Sequence, residues 1–199
     1  MSGDLRILVI DMNAIRASII EAGLREAGHH DVTILSDIDQ LLRRIVDTDP
    51  DVIFIDLENP NRDMLEHMLH VSRAVPRPVA MFVDSADKAS IEAAIDAGVS
   101  AYVVDGLKKE RVKPILDTAI SRFNAFSRLR EELAEARNQL EERKLVDRAK
   151  GILMRTRGMT EEQAYALMRT TAMKQSRRIS AIAESLVTAA GLLAGEEDE

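Results

Sequence analysis

VIFIDL, residues 52–57, holds four successive β-branched or aromatic residues and then an acid. A strand with one wet face would alternate apolar and polar residues, so this continuous run predicts a strand covered on both faces. Working outward, Leu5–Ile10, Val32–Leu35, Val79–Val83 and Ala101–Val104 show the same apolar habit. Helical periods separate them: Ile15, Ile19, Ala22 and Ala27; Leu41, Leu42 and Ile45; Met64, Leu65, Met68 and Leu69; Ile91, Ala94 and Ile95. Asn13, Asp37 and Asp87 stand at expected N-caps, and Gly28 and Gly98 at expected helix ends. Five such repeats predict an α/β fold with a doubly wound, five-stranded parallel sheet. Sites in such sheets form at the carboxyl ends of the strands, and those ends carry Asp11, Asp56, Asp84 and Asp105.

The 199 residues suffice for one well-cored domain and a smaller one. With 46% hydrophobic and 31% charged residues the chain has a globular rather than a disordered composition. Zero cysteines exclude a disulfide framework, a thiol nucleophile and a Cys-based zinc site. No apolar run approaches a membrane span and no leader pattern opens the chain, so the expectation is a cytoplasmic protein with no membrane partner. His67 and His70 share a helix face, but a solvated pair outweighs a metal site there, and His29 and His30 lie away from the strand tips. Neither an enzyme nor a resident cofactor is expected.

From Pro114 to Arg148 the pattern is one long helix, with Pro114 placed in its first turn. Phe126, Leu129, Leu133, Ala136 and Leu140 form an a/d seam among charged neighbours, which predicts a coiled-coil homodimer. Residues 144–193 hold no strand pattern. Helical text continues from Leu145 to Arg155 and stops near Gly158, Thr160–Gln163 is a capping box, and a third helix begins near Arg178, making a three-helix bundle. Leu153, Met154, Met168 and Met173 are expected in its core, and Ala149, Gly151 and Gly158 at close helix approaches. Residues 194–199 form an acidic tail. Within a chain of net charge −7, residues 143–178 carry 10 Lys/Arg against 3 Asp/Glu, a local +7 that points to a polyanion partner.

Residues 1–122 resemble a response-regulator receiver, a flavodoxin-like fold. In that family two acids and an acceptor Asp hold magnesium, a Ser/Thr hydroxyl and a lysine meet the phosphoryl group, and an aromatic residue marks the switch. Asp56 matches the acceptor, Asp11 one of the acid pair, and Tyr102 the switch position. Met12 replaces the second acid, Val83 the hydroxyl, and Asp105-Gly106 in SAYVVDGL (residues 100–107) the Lys-Pro. Replacing a cation by an anion beside an incoming dianion changes the local charge by two units, so phosphorylation of Asp56 is expected to be weak or absent. Lys108 and Lys109 follow closely but would have to fold back. The rival reading is that Asp11, Asp84 and Asp105 make an acidic pocket for a divalent cation such as magnesium.

The third segment resembles the ANTAR module of the AmiR and NasR antiterminators. The match rests on RAKGILM (148–154), GMTEEQAYALMR (158–169), TTAM (170–173), RRIS (177–180) and AIAESL (181–186). Receiver, coiled-coil linker (114–148) and ANTAR domain (144–193) together resemble the NasT-like nitrate-responsive antiterminators. The resemblance implies binding of a two-hairpin leader RNA, transcription antitermination at nitrate or nitrite assimilation genes, and control by a nitrate-sensing NasS-like inhibitory protein. Lys150, Arg155, Arg157, Arg169, Lys174, Arg177 and Arg178 are the candidate RNA-binding cations, with Tyr165 a candidate for base stacking. The competing readings are a phosphorylation-dependent DNA-binding transcription factor and an adaptor acting on proteins alone. The third segment shows no turn followed by a recognition helix rich in Asn, Gln and Arg.

Overall fold

The computed structural model describes residues 4–58 and 61–194, and the acidic tail from residue 195 lies outside them. Five strands, β1 (Ile7–Asp11), β2 (Val32–Leu35), β3 (Val52–Leu57), β4 (Val79–Val83) and β5 (Ala101–Val104), are all parallel in the order β2-β1-β3-β4-β5. Between them run α1 (Ala14–Glu26), α2 (Leu41–Thr48), α3 (Arg62–Ala74) and α4 (Lys88–Asp96). They are followed by α5 (Lys109–Arg157), α6 (Glu161–Lys174) and α7 (Ile179–Ala194). The chain divides into two compact units, Met1–Arg128 and Leu129–Glu199.

In the first unit alternate strand residues feed two cores. Leu8, Ile10, Ile53, Ile55 and Met81 pack with Leu41, Ile45, Met68, Leu69 and Ala94 of α2, α3 and α4. On the other face Ile7, Val9, Phe54 and Phe82 pack with Ile20 and Leu24 of α1 and with Val112, Leu116 and Ala119 of α5. The rings of Phe54 and Phe82 stack at 5.9 Å. Burial of both sheet faces is why these strands show no alternation.

The helices depart from the expected phases in instructive ways. α1 buries Ala17, Ile20, Gly23 and Leu24, while Ile15 and Ala22 face solvent. Gly23 sets that rotation, because a Cβ there would lie 2.7 Å from the Cβ of Val112 and 2.8 Å from the carbonyl of Lys109. Asp37 does not cap α2; the cap is Gln40 in a left-handed conformation, and Asp37 pairs with Arg44. Asn13 and Asp87 cap α1 and α4 as expected, and Gly28 and Gly98 take positive φ just beyond those helices. α5 starts at Lys109, five residues before Pro114, so the proline stands inside the helix rather than in its first turn. Burial of Val112 draws the earlier residues into helical form.

The second unit has its own core of Ala149, Leu153, Ala164, Met168, Ala172, Ile182 and Ala183. Thr160 and Gln163 complete the expected capping box of α6. Met154 and Met173, expected in this core, are exposed: α5 turns Ala149 and Leu153 inward, and the buried stripe of α6 follows Ala164, Met168 and Ala172. A Cβ at Gly151 or Gly158 would meet nothing within 4 Å, so neither glycine serves close packing; Gly158 supplies a positive φ where α5 ends.

Candidate functional site

The strand order reverses between β1 and β3, and there Asp11 and Asp56 are register partners. Both are 3% exposed. Buried carboxylates need partners, and Asp56 finds one that the sequence pattern did not reveal. Arg16, in the first turn of α1, reaches over the strand tips and grips Asp56 with two parallel hydrogen bonds, Nε to Oδ2 at 2.6 Å and Nη2 to Oδ1 at 2.7 Å. Its third nitrogen, Nη1, donates to Asp84 Oδ1 at 3.0 Å beyond the end of β4. The fork geometry of a guanidinium suits such bidentate binding. Its hydrogen bonds to Asp56, outweighing the effect of burial, raise the Arg16 pKa still further above its ordinary value.

Asn13 places Arg16 by capping α1: its side-chain oxygen accepts from the backbone N–H groups of Ile15 and Arg16. A signal was available in the sequence. The first turn of α1 has no acid and one arginine, the reverse of what the helix dipole favours, so an acid had to stand opposite.

Asp11 is treated differently. Its Oδ1 accepts the Asn13 N–H at 2.7 Å, whereas its Oδ2 is buried with no hydrogen-bond partner. Burial, helped by the nearby Asp56 charge, pushes its pKa up to about 6 against the pull of the Asn13 N–H and of Arg16. Asp105 stands apart: it takes a positive φ of 47°, its side chain is exposed, and its N–H donates to Val83 O at 3.0 Å. Tyr102 packs half-buried beside the first core, and burial raises the pKa of its phenol. Lys109 does not fold back toward the strand tips but pairs with Glu26 at 2.7 Å.

These residues do not fit a magnesium ion in this arrangement. Both oxygens of Asp56 are engaged by Arg16, Met12 offers no ligand, and no group of three or more acids or histidines converges for a metal among the described residues. The guanidinium supplies the positive charge that a metal and a lysine supply in the receiver pattern.

In the second unit the candidate cations fall into two groups. Lys150 is half-buried and tied to Asp147 at 2.6 Å and to Glu161 of α6 at 2.7 Å; these bonds hold its pKa above the ordinary lysine value. Arg178 lies 3.8 Å from Glu142, and Arg177 donates to Ala181 O and Ser185 Oγ. Arg155, Arg157, Arg169 and Lys174 are exposed and have no ion pair among the described residues. Arg155 and Arg157 close α5 and Lys174 closes α6, where the helix dipole favours cations. Tyr165, 45% exposed, sits one turn before Arg169 on α6. Exposed Met173 follows one turn later on that helix.

Solved structures share the first unit's fold. A pilus assembly-related protein of Burkholderia pseudomallei matches with a TM-score of 0.53 and 22% identity, covering 61% of this chain and 93% of that one. A CheY-like receiver domain of Methanospirillum hungatei matches with a TM-score of 0.52 and 16% identity, covering 62% and 99%. Residues 134–187 match the ANTAR domain family. The chain thus joins a receiver-like fold to a segment that matches the ANTAR domain family. The transcriptional regulatory protein PdtaR of Mycobacterium tuberculosis is 28% identical to this chain over 186 residues, covering 94% of this chain and 91% of that protein. A nitrate regulatory protein of Klebsiella oxytoca is 38% identical over 80 residues, which is 40% of this chain and 20% of that protein. No helix among the described residues is long and apolar enough to cross a membrane.

Proposed function

We propose that the ANTAR unit binds a two-hairpin leader RNA and thereby lets transcription pass a terminator. The supporting observation is the set of exposed cations Arg155, Arg157, Arg169 and Lys174 within the +7 block, which have no ion pair among the described residues, with Tyr165 one turn from Arg169. Such a surface offers phosphate attraction and one aromatic face for an unpaired loop base. Lys150 belongs to the scaffold in this reading, because its charge is spent on Asp147 and Glu161. The test is binding of a two-hairpin RNA and of duplex DNA across a salt titration. Arg169→Ala with Lys174→Ala is expected to weaken RNA binding and reduce the salt slope by roughly 2, about one per lost phosphate contact. Equal or tighter binding to duplex DNA, or an unchanged slope in the double variant, contradicts it.

The receiver is read as controlled by a partner protein, because Asp56 is already neutralised by Arg16 while Val83 and Asp105 replace the hydroxyl and lysine. The partial match to the Klebsiella nitrate regulator supports nitrate or nitrite assimilation genes as targets and a nitrate-sensing, NasS-like protein as the inhibitor. The expected result is a complex with such a protein that nitrate dissociates. RNA binding indifferent to that protein and to nitrate argues against this assignment. The a/d seam supports homodimer formation: Phe126, Leu129, Leu133 and Leu140 of α5 are each more than half exposed.

A further inference from the structure

Gly151 stands in the interior of α5, well before the helix ends at Arg157, and nothing in this chain calls for a glycine there. Glycine is the least favourable residue after proline in a helix interior. Two reasons commonly justify one, a positive φ or a close packing contact. Gly158 has the first, with a φ of 62°, and Gly23 has the second, against Val112 and Lys109. Gly151 has neither: its φ is not positive, and a Cβ built on it would meet nothing within 4 Å. Gly191 is as open, but it lies in the last turn of α7 among uncharged residues.

The surroundings of Gly151 say what comes close to it. At about 100° per residue, Gly151 points roughly 160° away from the buried Ala149 and Leu153. Arg148 and Arg155, one turn before and one turn after, share its face and flank it along about 10 Å of helix. Both are exposed and have no ion pair among the described residues. The acid one turn back, Asp147, is held by Lys150 at 2.6 Å. The absent side chain lets another backbone approach the helix, and the two guanidinium forks suit phosphates on either side. A second copy of this helix fits less well, because it would bring the same arginines together. We propose that the sugar–phosphate backbone of the RNA packs directly on α5 at Gly151, with Arg148 and Arg155 on its phosphates. Contacts of this kind fix the register of a nucleic acid without reading its bases. The inference rests on the RNA-binding reading and adds to it a contact made by a missing side chain.

The experiment compares the full chain with Gly151→Ala, Gly151→Leu and Arg148→Ala for binding of a synthetic two-hairpin RNA by fluorescence anisotropy. Urea unfolding and sedimentation equilibrium are run on the same samples. Ala and Leu are better helix formers than glycine, so both glycine variants should keep or raise the urea midpoint. RNA binding should move the opposite way. It should weaken in Gly151→Ala and fall by about ten-fold or more in Gly151→Leu, as charge-assisted bonds to phosphate are lost. Arg148→Ala should reduce the salt slope by roughly 1. An unchanged affinity in Gly151→Leu overturns the proposal. So does a lowered urea midpoint or a changed oligomeric state in that variant, which makes the glycine a contact within or between copies of this chain. Failure of the wild type to bind the RNA overturns the RNA-binding reading and this one together. Binding that falls in Arg169→Ala with Lys174→Ala but holds in Gly151→Leu overturns this one alone.

Discussion

Arg16→Met keeps the alkyl stem of Arg16 but removes its charge and its hydrogen bonds to Asp56 and Asp84. The Asp56 side chain is 0% exposed and that of Arg16 19%, so the lost interaction is a buried ion pair rather than a surface one. Removing one partner of such a pair destabilises by about 3–5 kcal/mol, because the remaining charge is left without compensation. Coulomb attraction between unit charges about 4 Å apart at an effective dielectric near 20 gives about 4 kcal/mol, the same order. Urea unfolding, read by amide exchange protection in β1 and β3, should therefore show the first unit losing about 3–5 kcal/mol at neutral pH. Adding Asp56→Asn to the variant removes the orphaned charge and should recover about half of that loss or more. A loss below about 1 kcal/mol, or an equal loss whether residue 56 is Asp or Asn, refutes the claim that Arg16 is the counter-ion of the acceptor position.

Asp11 has a folded-state pKa of about 6 against an ordinary value of 3.8, so the folded state binds the proton more tightly than the unfolded state. Its ionisation accordingly lowers stability as pH rises from 3.8 to about 6. The full shift corresponds to no more than about 3 kcal/mol, reduced by solvent screening at the strand tips. Asp11→Asn should gain stability relative to the wild type between pH 4 and pH 7, roughly the window of that titration, as seen in urea midpoints; a difference constant with pH contradicts this. Gly23→Ala should destabilise the first unit by about 1–3 kcal/mol through the clash with Val112 and Lys109, and an unchanged melting temperature contradicts the close approach. Leu129→Glu with Leu133→Glu should convert a dimer to a monomer in sedimentation equilibrium, and a persistent dimer places the interface elsewhere.

The sheet was legible because Val, Ile and Phe runs such as VIFIDL suit only strands covered on both faces, and because the Asp residues that end them mark the tips. The pairing of Arg16 with Asp56 was not, since it joins residues 40 positions apart through a side chain that leaves a helix and crosses to another strand. Periodicity also left the rotation of short helices open: Ile15 and Met173 continue an apolar pattern yet face solvent. The basic block singled out the second unit as the candidate for a polyanion partner, but composition could not separate Lys150, tied into the scaffold, from Arg169, which is free of acids among the described residues.

The most direct measurement is the intact mass of the full chain after incubation with acetyl phosphate and magnesium, with Asp56→Asn alongside. With Asp56 held by Arg16, and with no lysine or hydroxyl beside it, the account predicts no phosphoryl-sized mass increase. A stoichiometric increase that disappears in Asp56→Asn would contradict it.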